Sequence, residues 1–277
     1  MLSILSELFS YTFITRALLV GILVSLCASI LGVSLVLKRY SMIGDGLSHV
    51  GFGSLSVAMA FNLAPLQVSI PVVVLAAFLL LRISENSKIK GDAAIALISS
   101  SSLAIGVIIT SLTTGMNTDV CNYMFGSILA MERSDVYLSV ILSIIVLILY
   151  GLFYNKIFAI TFDENFAKAT GTNVKRYNML VALLTAITIV IGMRLMGALL
   201  ISSLIIFPSL TSMRVLGNFK GVIITSLVLS AICFFIGIVI SFQYSIPAGA
   251  SVVAVNLAAF IIASCLGAFI KIGRFKE

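Results

Sequence analysis

The sequence predicts an all-α integral membrane protein, a bundle of about nine transmembrane helices, with eight as the alternative count. Apolar residues make up 61% of the 277 residues and charged residues only 10%, whereas a typical soluble domain is about 25% charged. The mean hydropathy is +1.22. The charges fall in a few clusters, and the stretches between them match the roughly 20 residues that a helix needs to cross a bilayer. An ordinary water-soluble fold is therefore excluded, and we expect residues 1–277 to form one transmembrane domain.

The predicted spans follow from the uncharged stretches, taken in chain order. The first, from Ala17 to Leu37, is 21 residues without a charge. Between Lys220 and Lys271 there are 50 uncharged residues, which the polar segment 241–250 divides into two spans of 20. The nine predicted spans are 17–37, 43–61, 65–82, 92–114, 134–154, 177–193, 197–213, 221–240 and 251–270. The residues before the first span lack a basic leader followed by a small-residue cleavage site, so we expect them to be retained.

The basic residues predict the orientation of this bundle. Fourteen of the 17 lysines and arginines fall on connections at one side of the membrane, whereas Arg16, Arg133 and Arg194 fall on the other. By the positive-inside rule the first side is cytoplasmic, which places the N-terminus outside and the C-terminus inside. The net charge of +7 then reflects topology, and we expect no nucleic-acid partner.

An ionisable pair within the second span is the main candidate site. Asp45 is followed four residues later by His49, the single histidine of the chain. This spacing places both side chains on one face of a helix, one turn apart. Charged groups in a membrane span are costly unless they are hydrated, paired or bound to something, and a carboxylate with an imidazole can bind Zn²⁺ or Mn²⁺. The alternative is a structural role, in which Asp45 hydrogen-bonds His49 or caps the helix.

The loop before the sixth span, about 155–176, is the second informative feature. Asp163 and Glu164 suit the first turn of a short helix, Phe166 lies on its apolar side, and Gly171 can end it. Such a helix in a basic loop could dock on a soluble partner, although an ordinary surface loop is the alternative. On the opposite side, segment 119–132 is too short to cross the bilayer, so we predict a short external helix there.

Catalytic motifs are missing from the sequence. It has no G-x-x-x-x-G-K-[ST] phosphate loop and no Gly-Lys dipeptide to found one. Nor does any Ser/His/Asp or Cys/His set indicate hydrolysis. We therefore expect a protein that is not an enzyme and has no permanently bound cofactor, and any ATPase that drives it to be a separate chain.

Segments spread over most of the chain resemble the zinc/manganese permease subunits of bacterial ABC importers, the ABC-3 metal permease family. The second-span stretch from Leu37 to Gly51 is similar to the signature of the family's second helix, and Phe162 to Gly171 is similar to its coupling helix. The ordered set is more specific than any one piece. The remaining similar segments are 122–130, 197–208 and 247–253.

This resemblance implies a type II ABC importer permease in the bacterial plasma membrane. Its implied partners are a second copy of the chain, two cytoplasmic ATPase subunits and an extracytoplasmic metal-binding protein. The transported ion would be Zn²⁺ or Mn²⁺, contacted by Asp45 and His49. The residues that the resemblance assigns to ATPase coupling are Asp163, Glu164, Phe166, Ala167 and Gly171.

Two other functions fit a membrane bundle of this kind. A permease of related architecture could import a siderophore or corrinoid, but a chelated metal needs no protein ligands, and Asp45 with His49 argues against it. A secondary metal transporter would be expected to show inverted repeats and broken helices, which the sequence does not display. Uptake that persists without ATP hydrolysis would favour that second alternative.

Overall fold

The computed structural model describes residues 12–86, 91–113 and 133–274, and these ranges contain eleven α-helices and no strand. Nine of the helices are long, whereas the sixth and seventh are short. In chain order they are Thr12–Leu37 (α1), Ile43–Ala60 (α2), Pro65–Asn86 (α3), Gly91–Leu112 (α4), Arg133–Leu152 (α5), Tyr154–Phe162 (α6), Glu164–Ala169 (α7), Val174–Met196 (α8), Ala198–Val215 (α9), Phe219–Tyr244 (α10) and Ala248–Arg274 (α11).

The nine long helices coincide with the nine predicted spans. Eight of them are long and apolar enough to cross a membrane by themselves, and α2 is the one outside this set. Thirteen of the 18 residues of α2 are buried, so other helices surround most of it and it can carry glycine, serine and charged residues that lipid would disfavour. The all-helical membrane fold is thus confirmed. The predicted external helix at 119–132 lies outside the described residues.

Serine hydroxyls join α1 to its neighbours in the interior. The Ser230 hydroxyl of α10 donates to the carbonyl oxygen of Ser25 at 3.0 Å. The Ser209 hydroxyl of α9 lies 3.3 Å from the carbonyl oxygen of Ser29. All four serines are buried, and small residues let helix backbones approach closely where lipid supplies no hydrophobic drive for association. The interior of the bundle therefore forms around α1.

The outer helices have a different surface. Large apolar side chains on α4, α5 and α11 are exposed, and examples are Leu97, Ile108, Ile141, Ile148 and Ile262. Exposed apolar area on this scale suits a surface in contact with lipid or with another subunit. These helices mark the outside of the single chain, and α4 packs mainly on α2.

A tight corner connects α1 to α2. The N–H of Arg39 donates to the carbonyl oxygen of Val36 at 3.0 Å, and the N–H of Tyr40 donates to that of Leu35 at 2.8 Å. This is the Schellman pattern that closes many helices. Arg39 has a φ of 63°, a left-handed conformation that glycine usually occupies. The corner is therefore short and internally hydrogen-bonded, with little slack between the two helices.

Candidate functional site

The first turns of α2 carry the predicted ionisable pair. The Nε2 atom of His49 lies 3.6 Å from the Oδ2 atom of Asp45. The His49 side chain is 21% exposed and that of Asp45 is 44% exposed. A separation of 3.6 Å is within ion-pair range but longer than a hydrogen bond. The two side chains therefore share one face, and each can still accept another partner.

The pair lies within the bundle rather than at its end. Gly44, next to Asp45, packs against Ile205 of α9. Ile205 is ten residues before the end of α9, which corresponds to about 15 Å along that helix at 1.5 Å per residue. The helix that carries the pair thus begins inside the bundle, where a charged group is more costly than at the membrane surface.

Two neighbouring helices flank the open face of the pair. On one side, Gly46 packs against Ile95 of α4. On the other side, the Ser202 side chain of α9 interacts with the Asp45 carboxylate. Among the described residues, no third histidine, cysteine, aspartate or glutamate joins the pair into a larger metal-binding group. A single chain thus offers one carboxylate, one imidazole and a nearby hydroxyl at an opening between α4 and α9.

The predicted coupling segment forms the short helix α7. The Asp163 side chain accepts hydrogen bonds from the backbone N–H groups of Asn165 and Phe166, both at 2.9 Å, which is how an aspartate stabilises a helix N-terminus. Gly171, at a φ of 79°, follows the end of the helix. The predicted short helix is confirmed, and its role in ATPase coupling stays a prediction.

Phe166 and Ala167, also predicted to take part in coupling, differ in exposure. The Phe166 side chain is 63% exposed, whereas Ala167 is fully buried. Ala167 packs with Ile160 of α6 and Val174 of α8 in a small apolar cluster separate from the main core. Phe166 is therefore the apolar side chain of α7 that a partner could contact, and Ala167 holds α7 on the protein.

A polar cluster connects α7 to the end of α1, and we call its members Lys38, Glu164 and Asn178 the Lys38 network. The Lys38 ammonium donates to Oε1 of Glu164 at 2.7 Å and to Oδ1 of Asn178 at 2.5 Å. The Asn178 amide also donates to Oε1 of Glu164, at 3.2 Å. The sequence did not predict this network, because Lys38 is 126 residues before Glu164 and 140 residues before Asn178.

The charge of Glu164 depends on this network. Burial alone would raise the pKa of Glu164, but the hydrogen bonds from Lys38 and Asn178 outweigh burial and lower the pKa below its usual value. A lowered pKa means that the ionised carboxylate is favoured in the folded protein. The resulting stabilisation is present above the ordinary glutamate pKa and is lost as the pH falls through the lowered value.

A second contact joins the coupling segment to the bundle. Phe219, the first residue of α10, packs against Phe158 and Phe162 of α6, with ring centroids 5.0 and 5.5 Å away. Both rings of α6 are also partly exposed. The segment is thus attached to α10 by aromatic packing and to α1 by charge.

Comparison with known families identifies the chain. The family described as ABC 3 transport family matches residues 10–267. The chain belongs to the ABC 3 transport family. As a member of the ABC 3 transport family it is a multi-pass permease of the inner membrane and a transport subunit rather than an enzyme. Permeases of ABC importers work with an ATPase and a substrate-binding partner.

Individual relatives of this ABC 3 family member cover almost its whole length. A manganese transport system membrane protein of Listeria monocytogenes is 27% identical over 94% of this chain and 92% of its own. A high-affinity zinc uptake system membrane protein of Haemophilus influenzae is 29% identical over 89% of this chain and 94% of its own. The PsaBC complex of Streptococcus pneumoniae with a Fab contains a chain that is 29% identical, with a TM-score of 0.85 and 94% of both chains covered.

Proposed function

We propose that this chain forms the pathway of an ATP-driven importer for Zn²⁺ or Mn²⁺, and that Asp45 and His49 contact the ion. The main support is that Nε2 of His49 and Oδ2 of Asp45 lie 3.6 Å apart inside the bundle and that both side chains remain partly exposed. A carboxylate oxygen and an imidazole nitrogen suit both ions. The names of the two relatives, one for manganese and one for zinc, support a divalent metal as cargo.

We infer that a second copy of the chain completes the site. In one copy alone, the Asp45 side chain would be 44% exposed on a face between α4 and α9, where contact with hydrocarbon would cost several kcal/mol. A second copy would cover that face and double the number of protein ligands from two to four. Exposed small residues at a four-residue spacing on α4, namely Ala96, Ser100 and Ala104, would allow close packing of two chains.

We assign the ATPase partner to the end of the bundle that carries α7, and the extracytoplasmic metal-binding protein to the opposite end. Exposed Phe166 on α7 supplies an apolar contact for the ATPase. ATP-driven closure of the two ATPase subunits would move α7, and this movement would reorient α2 with its metal pair. The positive-inside rule supports a cytoplasmic position for α7 and an external position for the end of α10.

Cysteine labelling tests this orientation. In a chain whose four native cysteines are replaced by serine, Phe166→Cys should react with a membrane-impermeant maleimide only after the cells are permeabilised. Tyr244→Cys, which is equally exposed at the end of α10, should react in intact cells. External labelling at position 166 would overturn both the orientation and the ATPase docking site.

Uptake by the reconstituted complex tests the metal site. Asp45→Ala and His49→Ala should each lower the uptake of radioactive Zn²⁺ or Mn²⁺ at least tenfold while the complex still assembles, because removing one of two ligands leaves a partly dehydrated ion without replacement. Gln67→Ala, at an exposed polar residue at the start of α3, is the control and should transport normally. A His49→Gln variant with full uptake and unchanged preference between Zn²⁺ and Mn²⁺ would restore the structural interpretation of the pair.

A further inference from the structure

We propose that the Lys38 network transmits movement of α7 to α2, so that Lys38 is a positioning residue for the Asp45/His49 pair. The inference rests on the proposed function for its direction, from ATPase to metal pair. It describes a mechanical connection within one chain, from α7 through the Lys38 network to α2. Three observations carry it: the geometry of the network, the stiffness of the α1–α2 corner and a small cavity between the network and α2.

The network is the polar attachment of α7 to α1. Lys38 is the first residue after α1, and its side chain is only 10% exposed. Its ammonium contacts the first residue of α7 and a buried residue in the first turns of α8. A nearly buried ammonium cannot readily exchange these partners for water. A shift of Glu164 with α7 therefore displaces Lys38 or leaves its charge uncompensated.

The corner after Lys38 passes such a displacement to α2. The Schellman hydrogen bonds of Arg39 and Tyr40 hold the corner against the last turn of α1, and the Ile43 N–H donates to the Tyr40 carbonyl oxygen at 3.0 Å. Asp45 follows Lys38 by only seven positions in the chain, and backbone hydrogen bonds run through both flanking helices. A connection without slack transmits displacement, whereas a long flexible loop would absorb it.

A cavity of about 20 Å³ lies between the network and α2. Lys38 and Asn178 line one part of it, and Ile43 and Leu47 of α2 line another. This volume is enough for about one water molecule. Close-packed interiors otherwise resist small side-chain shifts, so the cavity gives the network room to move at the place where it faces the buried residues Ile43 and Leu47 of α2.

The test compares variants in the complete complex with its ATPase and metal-binding partners, reconstituted in proteoliposomes. Lys38→Met keeps an unbranched side chain, one heavy atom shorter, and removes its charge. We expect about a tenfold fall in Zn²⁺ or Mn²⁺ ions transported per ATP hydrolysed, while the ATPase still copurifies. Lys175→Met removes an exposed positive charge near the start of α8 and should leave this ratio unchanged.

Two further variants keep the test decisive if Lys38→Met fails to fold. Glu164 is 42% exposed, so Glu164→Gln should fold and should lower the transport ratio severalfold. Exchanging the charges in the double variant Lys38→Glu/Glu164→Lys should recover several times more transport per ATP than either single reversal. A purely structural role would reduce assembly, ATP hydrolysis and uptake together and leave the ratio unchanged, and that result would overturn the proposal.

A readout without metal separates this inference from the proposed function. Leu199 of α9 is exposed one turn before Ser202, at the edge of the opening beside Asp45. In the cysteine-free background, ATP should change the labelling rate of Leu199→Cys severalfold, and Lys38→Met should abolish that change. If the wild-type background shows the ATP response but no Zn²⁺ or Mn²⁺ uptake, and Lys38→Met abolishes the response, the proposed cargo is rejected and the network is kept. Normal uptake and an intact ATP response in Lys38→Met would reject the network and keep the cargo.

Discussion

The two polar clusters of this molecule differ in how completely one chain satisfies them. In the Lys38 network, three side chains from three parts of the chain make hydrogen bonds of 2.5 to 3.2 Å, and the ammonium is nearly buried. At the Asp45/His49 pair, two side chains from one helix lie 3.6 Å apart and remain partly exposed. In the Lys38 network the three side chains satisfy one another within the chain. Asp45 and His49 still have capacity to contact a ligand or another subunit.

The two clusters are therefore suited to different tasks. A closed network of charged hydrogen bonds fixes elements relative to one another, because breaking it leaves a charge without a partner in a poorly solvated place. An open pair would supply only part of the coordination shell of an ion and would therefore release it readily. An ATP-driven transporter needs both properties: a rigid connection from the ATPase to the transport pathway, and a site that binds its substrate weakly enough to release it.

We expect the largest loss of stability on the side of α2 that packs against α4, next to the open pair. A Cβ atom at Gly53 would lie 2.7 Å from the backbone carbonyl oxygen of Ser102, which cannot move without moving α4. Gly53→Ala should therefore destabilise the chain by about 1–3 kcal/mol, the usual cost of overpacking. Thermal unfolding of the detergent-solubilised complex measures this loss, and uptake should fall with it.

Gly46→Ala is the matched control on the same helix face. Its Cβ atom would lie 2.6 Å from Cγ2 of Ile95, a side-chain methyl group and not a backbone atom, although χ1 of a β-branched residue in a helix is stiff. Alanine also gains about 1 kcal/mol of helix propensity over glycine, which offsets part of the cost. We expect a smaller loss of stability than for Gly53→Ala. Equal losses for the two variants would show that the backbone contact with Ser102 does not set the distance between α2 and α4.

Much of this fold was predictable from the sequence, because lipid imposes a simple rule on composition. The uncharged stretches gave nine spans that match nine long helices, although α1 begins at Thr12 and α10 continues to Tyr244, beyond the predicted limits. Helix ends depend on local hydrogen bonds and on packing, which charge counts do not detect. The short helix α7 was predictable since Asp163 and Gly171 are standard start and end residues.

The candidate site was predictable only in part. Spacing placed Asp45 and His49 on one face, since that follows from helix geometry alone. Spacing could not show that Ser202 approaches Asp45, or that Lys38 pairs with Glu164, because such contacts depend on how distant helices pack. In the sequence Lys38 was one of many basic residues that indicated topology, and only the fold shows that its ammonium is nearly buried.

At the corner that joins the two clusters, we expect only a small change in stability. Arg39 and Asn62 both adopt left-handed conformations, with φ of 63° and 53°, and each follows the end of a helix. A left-handed conformation costs most residues about 1–2 kcal/mol, whereas asparagine tolerates it better. Arg39→Gly should therefore stabilise the chain by up to about 1 kcal/mol, less the greater entropy that glycine loses on folding. Asn62→Gly should change stability by only a few tenths of a kcal/mol.

Thermal unfolding distinguishes these two glycine variants, with an expected rise of about 2 °C for Arg39→Gly. The Schellman hydrogen bonds use backbone atoms and survive the substitution, so the corner should still transmit movement and the ions transported per ATP should not change. A clear fall in that ratio, with stability raised, would mean that the strain at Arg39 is itself part of the switch between conformations. The stiffness of the corner would then depend on the Arg39 side chain as well as on the backbone. Arg39 would in that case belong with the Lys38 network in transmitting movement toward Asp45 and His49.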